Sequence, residues 1–149
     1  ADHKPPTYGD MADQIGAIEK LSLSYDKERA IFKELSHEFQ KKMLWIKGKS
    51  GAIIVLKGKP SLTISGDEIY WNRTGNNALA VAGSGDSLSG IIAALSTHSE
   101  KEDLVKRVAT AVFIHGRLGD IGKEKVGERS LKPSIFSYFM PEIWKEIQA

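Results

Sequence analysis

The alternation of apolar and polar positions divides the chain into helical and extended segments. From Asp26, the run "KERAIFKELSHEFQKKM" places Ile31, Leu35, Phe39 and Met43 four residues apart. They form one apolar face of a helix for which Asp26 is a suitable N-cap. A short helix is expected before it, from Asp10 to about Ile18, after an irregular entry carrying Pro5, Pro6 and Gly9. "AIIVLKG", Ala52 to Gly58, is continuous, β-branched and closed by glycine. It predicts a strand buried on both faces, as in a parallel or mixed sheet, with Lys57 at its end. "SLTI" and "EIYWN", on either side of Ser65-Gly66-Asp67, predict a β-hairpin, and "RTGNN" a loop. Helices are expected at Ser84 to Thr97, at Lys101 to Leu118, and from about Tyr138 to the end, after Pro133. The pattern is that of an α/β fold with helices packed on a sheet.

Composition narrows the partners. A chain of 149 residues suits a single domain, residues 1–149, around one core. Lys and Arg total 21 against 19 for Asp and Glu, and the net charge of +2 is too small and too interspersed for a nucleic-acid surface. With no cysteine, neither a disulfide framework nor a thiolate metal site is available, which is compatible with a reducing compartment. The apolar runs fall short of a membrane span, and the polar start "ADHKPPTYGD" lacks the apolar stretch of a signal peptide. The expectation is a soluble, cytoplasmic protein without nucleic-acid or membrane partners.

Candidate chemistry concentrates in "AVAGSGDSLSGIIAAL", Ala80 to Leu95. Leu88, Ile91, Ile92 and Leu95 follow the i, i+3, i+4, i+7 rule, so a buried helix starts just after Gly83 and Gly85. Glycines there let a ligand approach the backbone, and the free N–H groups of a first helical turn, with the helix dipole behind them, bind an anion such as phosphate. Two readings of Asp86 stand side by side. It caps the helix, or it takes the proton from a hydroxyl during phosphoryl transfer. Two other motif matches fail. "GKS" at Gly48 to Ser50 lacks the P-loop glycine, because Met43 stands in its place. Gly83-Ser84-Gly85 lacks the third glycine of a dinucleotide fingerprint, because Leu88 occupies it.

Leu56-Lys57-Gly58 at a strand end, the hairpin, Thr74-Gly75-Asn76 and then Gly83 through Ile91 occur in one order at one spacing. "FIHGRLGD", with His115, Gly116 and Asp120, follows. In these features the chain, from about Pro5 to Pro141, resembles the C-terminal half of the ADP- or ATP-dependent NAD(P)H-hydrate dehydratases of the ribokinase-like superfamily. The resemblance implies a three-layer α/β/α fold, represented here by about half of the usual domain, with a homo-oligomer or a second chain supplying the N-terminal half. It implies that Lys57, Gly58, Lys59, Pro60 and Ser61 border ADP or ATP, that Gly83, Ser84 and Gly85 meet its phosphates, and that Mg²⁺ accompanies them. It implies that Asp86, Thr7 and Asn76 lie at the substrate, NAD(P)H hydrate, with Asp86 as the catalytic group. The implied reaction is repair: the ring hydroxyl is phosphorylated and phosphate is eliminated, restoring NADH or NADPH. Thr7 stands where the family has a histidine, and Asp10 where it has a glutamate.

Other residues have simpler readings. His115 continues the stripe Leu104, Val108, Ala111 and Leu118, which marks a helix-packing histidine, and no metal is assigned to it. Asp103 and Asp120 read as solvated helix faces, and Trp45, Trp71 and Trp144 as core or interface. Two rival functions remain open: a non-catalytic nucleotide-binding homologue or scaffold subunit, and a small-molecule kinase of the same superfamily.

Overall fold

The computed structural model describes residues 18–22, 52–65, 68–97 and 104–148. Strands β1 (Ile18–Ser22), β2 (Ile53–Leu56), β3 (Ser61–Ser65) and β4 (Glu68–Asn72) form one sheet in the order β1-β4-β3-β2, and every neighbouring pair is antiparallel. A 3-10 turn (Asn77–Leu79) leads to helices α1 (Ser84–Ser96) and α2 (Leu104–Val126). A second 3-10 segment (Pro133–Phe139) runs into α3 (Met140–Gln148).

The expected hairpin is β3–β4, with Ile64 opposite Ile69 and Ser65 opposite Glu68. The β-branched run behaves otherwise. Among the described residues β2 is a half-buried edge strand, antiparallel to β3, and not the doubly buried parallel or mixed-sheet strand expected. β3 is covered on both faces, with consecutive Leu62, Thr63 and Ile64 0%, 1% and 1% exposed, and β4 is likewise buried at Ile69 and Tyr70. An interior place in the sheet, with α2 packed on it, accompanies this burial. β1 is a further correction, since Ile18 was expected to end a short helix and instead begins a strand paired to β4. The rest of that helix, and the amphipathic one from Asp26, lie outside the described residues, as does Trp45.

α2 was expected to end at Leu118 and continues two turns further. Ile121 is buried with Leu131, Phe136, Phe139 and Ile143, so the apolar face outlasts the stripe. Lys123 and Lys125 in the last turn favour the negative end of the dipole. Gly127, at φ 81°, ends the helix by donating its N–H to the Lys123 carbonyl at 3.0 Å. α2 packs on β3 and β4, on α1, on both 3-10 segments and on α3, and so ties the sheet to the helices. α3 lays Ile143 and Ile147 into the core with half-buried Trp144 beside them, two residues later in starting than expected because the 3-10 segment precedes it. Among the described residues, no helix is long and apolar enough to cross a membrane.

Gly116, Gly119 and Gly122 mark one face of α2, and each admits a neighbour into the space of a Cβ. A Cβ at Gly119 would lie 2.5 Å from Leu79 Cγ, and one at Gly122 would collide with Leu131. Gly119→Ala is therefore expected to lower stability by about 1–3 kcal/mol through overpacking. Urea unfolding checks this, and an unchanged midpoint would show that Leu79 can move aside freely.

Candidate functional site

The segment after β4 is docked on α2 by side chains that act on backbone. Buried Asn72 donates through Nδ2 to the Thr74 carbonyl (3.2 Å) and the Val112 carbonyl (3.5 Å), and its Oδ1 accepts from the Thr74 N–H (3.3 Å). Thr74 Oγ1 lies 2.9 Å from both Asn72 Oδ1 and the Phe113 carbonyl, sharing one proton between them. These mid-helix carbonyls are reachable because Gly116 has no side chain. A Cβ there would collide with Thr74 Oγ1 and lie 2.7 Å from its carbonyl carbon.

Asp120, one turn further along α2, holds the next two residues. Its Oδ2 accepts from the Gly75 N–H (3.1 Å) and its Oδ1 from Asn76 Nδ2 (2.9 Å). Gly75 has φ 103°, a conformation that favours glycine. Asn76 Oδ1 accepts from the Ala78 N–H (2.9 Å), capping the 3-10 turn. Arg117 Nη1 lies 3.8 Å from Asp120 Oδ2, and its guanidinium also pairs with Glu146 on α3.

The start of α1 is held from the same helix. Gly83 is the N-cap, at φ 81° and with no side-chain cap, so Asp86 is not the cap and stands at the third helical position. The Ser84 N–H donates to the Val81 carbonyl (3.2 Å) and the Ser87 N–H to the Gly83 carbonyl (3.0 Å). The amides of Gly85 and Asp86 precede the first intrahelical bond and have no partner within the helix. His115 Nε2 lies 2.9 Å from the Ser84 carbonyl and 3.1 Å from Ser84 Oγ. A carbonyl only accepts, so Nε2 carries a proton. Burial holds the His115 pKa below 6.5, against the upward pull of the Ser84 hydrogen bond and with a further downward push from the Lys57 charge.

Between the end of β2, the 72–80 segment and α1 lies a cavity of about 500 Å³. Its walls include the whole stretch from Lys57 to Ser61, Thr74 to Asn77, Ser84, Leu88 and His115. Ser61 Oγ closes the Gly58–Ser61 turn by donating to the Gly58 carbonyl (3.2 Å). Lys57, Lys59 and Arg73 are the charged side chains among the described residues of the lining. Lys57 Nζ reaches the helix start, lying 2.8 Å from where a Cβ on Gly85 would be.

A family model described as NAD(P)H-hydrate dehydratase matches residues 26–141. The chain belongs to the NAD(P)H-hydrate dehydratase family. The ADP-dependent (S)-NAD(P)H-hydrate dehydratase of Neisseria meningitidis is 42% identical over 78 residues, 52% of this chain and 26% of that protein. The bifunctional NAD(P)H-hydrate repair enzyme of Moorella thermoacetica is 33% identical over 98 residues, 65% of this chain and 18% of that one. Among solved structures, Bacillus subtilis YxkO matches with a TM-score of 0.63 at 25% identity, covering 95% of this chain and 48% of that one. The ADP/ATP-dependent NAD(P)H-hydrate dehydratase of the same organism, co-crystallised with ATP/Mg²⁺, matches with a TM-score of 0.58 at 25% identity, over 95% and 46%. The chain thus has the dehydratase fold and spans about half the length of these solved structures. The family match ends at Pro141, as the resemblance does, and begins at Asp26 where the resemblance was drawn from Pro5.

Of the residues the family pattern points to, Lys57, Gly58, Lys59, Pro60, Ser61, Asn76 and Ser84 meet in the cavity wall. Gly83, Gly85 and Asp86 complete the helix start beside it, with Asp86 exposed and about 200° around α1 from Ser84. Thr7 and Asp10 lie outside the described residues. Asp120, expected on a solvated face, is instead the anchor of Gly75 and Asn76. Its signal is its place on α2 one turn after Gly116, next to the glycine face that another segment must approach. Asn72 and Thr74 carried no such signal, because their partners are carbonyls 40 and 39 residues away.

Because His115 has a lowered pKa in the fold, the unfolded chain takes up the proton first as pH falls below 6.5. The stability owed to a neutral His115 is present above that value and is lost as pH drops through it. Urea unfolding is expected to show lower stability at about pH 5.5 than at about pH 7.5, with a smaller difference in His115→Gln. An equal difference in both proteins would mean that His115 does not carry it.

Proposed function

We propose that this chain forms the nucleotide-binding and proton-accepting part of an NAD(P)H-hydrate dehydratase. The observation that carries the reading is the cavity walled in part by Lys57 and Lys59 and placed against the open amides of Gly85 and Asp86 at the start of α1. Lys57 to Ser61 border ADP or ATP, while Lys57 Nζ and the turn Gly83-Ser84-Gly85, with the open amides of Gly85 and Asp86, receive its phosphates. Asp86 is exposed in the first turn of α1, next to the open amides and on a face turned away from Ser84. A hydroxyl of hydrated NADH or NADPH that reaches the end of the helix gives its proton to this carboxylate as its oxygen attacks the terminal phosphoryl group and displaces the shortened nucleotide. The ring C–O bond then breaks with loss of phosphate and of a proton from the adjacent carbon, restoring the dihydronicotinamide. Asn76 keeps one Nδ2 proton beyond its bond to Asp120 and faces the cavity, where it can meet the substrate. Thr7 belongs to the substrate side by its place in the family pattern.

Mg²⁺ neutralises phosphate charge in reactions of this class. Among the described residues no group of three His, Cys, Asp or Glu could hold a metal ion, so no residue here is given a ligand role and no step passes through one. The active form contains the rest of the domain that the solved relatives carry, of which this chain spans about half, and we assign it to the cytoplasm.

ADP or ATP at a hundred times its dissociation constant is expected to stabilise the fold by about 2.7 kcal/mol, read as a rise in melting temperature. Absence of a rise with both would remove the nucleotide reading. Asp86→Asn keeps the size of the side chain and removes its basicity. Regain of dihydronicotinamide absorbance from the hydrate, in the native assembly, is expected to slow by about 10²–10⁴-fold with nucleotide affinity retained. A wild-type assembly without regain overturns the enzyme, and full activity of the variant overturns the base.

A further inference from the structure

The helix start proposed to bind phosphate has no side-chain cap on its N-cap Gly83. Its local bonds run from the Ser84 N–H to the Val81 carbonyl and from the Ser87 N–H and Oγ to the Gly83 carbonyl, and none of them holds the Ser84 carbonyl. A tie on that carbonyl comes from another element. His115 on α2 is 7% exposed and meets the edge of the Phe136 ring, with centroids 5.8 Å apart at 76°. That contact and burial fix the orientation of the imidazole, and its Nε2 then faces both oxygens of Ser84.

We infer that His115 is a positioning residue for phosphate binding: its Nε2–H, donated to the Ser84 carbonyl and shared with Ser84 Oγ, pins the first turn of α1 to α2. It thereby sets where the amides of Gly85 and Asp86 stand relative to Lys57. The inference rests on the reading of that turn as the phosphate site. Ser84 is the first helical residue, so holding its carbonyl fixes the peptide planes of the turn that follows. Lys57 Nζ lies 2.8 Å from where a Cβ on Gly85 would be, so the lysine and the turn are in close register and a rotation of the turn changes their spacing. The neutral imidazole suits this role. It supplies the donor without burying a positive charge beside Lys57.

The test compares His115→Leu, His115→Gln and His115→Asn with wild type, measuring ADP affinity by calorimetry and the urea midpoint of the unliganded protein. Gln carries an N–H to about the position of Nε2, Asn stops a bond short, and Leu has no donor. ADP affinity is expected to fall about tenfold in Leu and Asn and to stay near wild type in Gln, whatever the order of the midpoints. Leu binding ADP like wild type, or affinity that follows the midpoints with Gln no better than Asn, overturns the inference. If Leu does not fold, the Gln and Asn pair decides by the same criterion. A wild-type protein that binds neither ADP nor ATP overturns the underlying nucleotide reading, which is a different result from ADP binding that is insensitive to residue 115.

Discussion

The contact between Thr74 and the bare backbone of α2 at Gly116 is the constraint on which the cavity wall depends. A missing Cβ exposes the carbonyls of Val112 and Phe113, and Asn72 and Thr74 bond to them. That seats the chain leaving β4 at a fixed height on the helix. Gly75 can then take its positive φ with its N–H on Asp120, and Asn76 can cap the turn that carries Ala78 into the core. A side chain at position 116 would lift the whole segment, and the wall with it.

The same helix supplies both charge and its absence where each is needed. Asp120 presents a carboxylate to two donors of the loop, an arrangement in which charge-assisted bonds stiffen backbone. One turn earlier His115 stays neutral by burial and donates to Ser84. The cavity wall beside the start of α1 carries Lys57 and Lys59. The carboxylate of Asp86 is kept off that wall by helical geometry, half a turn away.

Local patterning carried much of this. The i, i+3, i+4, i+7 apolar spacing located α1 to within a residue, the Ser65-Gly66-Asp67 punctuation located the β3–β4 hairpin, and the order of glycine motifs pointed to the family. Patterning misjudged what depends on neighbours. The β-branched run of β2 reads as a central strand because a strand's burial on both faces is set by its place in the sheet order, which composition does not encode. α2 outran its predicted end because the partners of Ile121 are Leu131 and Phe139, residues that fold back from beyond the helix.

The chain's own sequence thus determined where the glycine-flanked start of α1 lies and which residue types flank it, since φ preference, amphipathic period and motif spacing are local properties. Only the tertiary structure decided what holds that start in place. His115 became the donor to Ser84, Asp120 the anchor of Gly75 and Asn76, and Lys57 the cation over Gly85, through contacts between residues 28 to 45 positions apart in the chain. A hydrogen bond or an ion pair acts over a few ångströms of space. Which groups come within that range is settled by how α2 packs on the sheet and on α1.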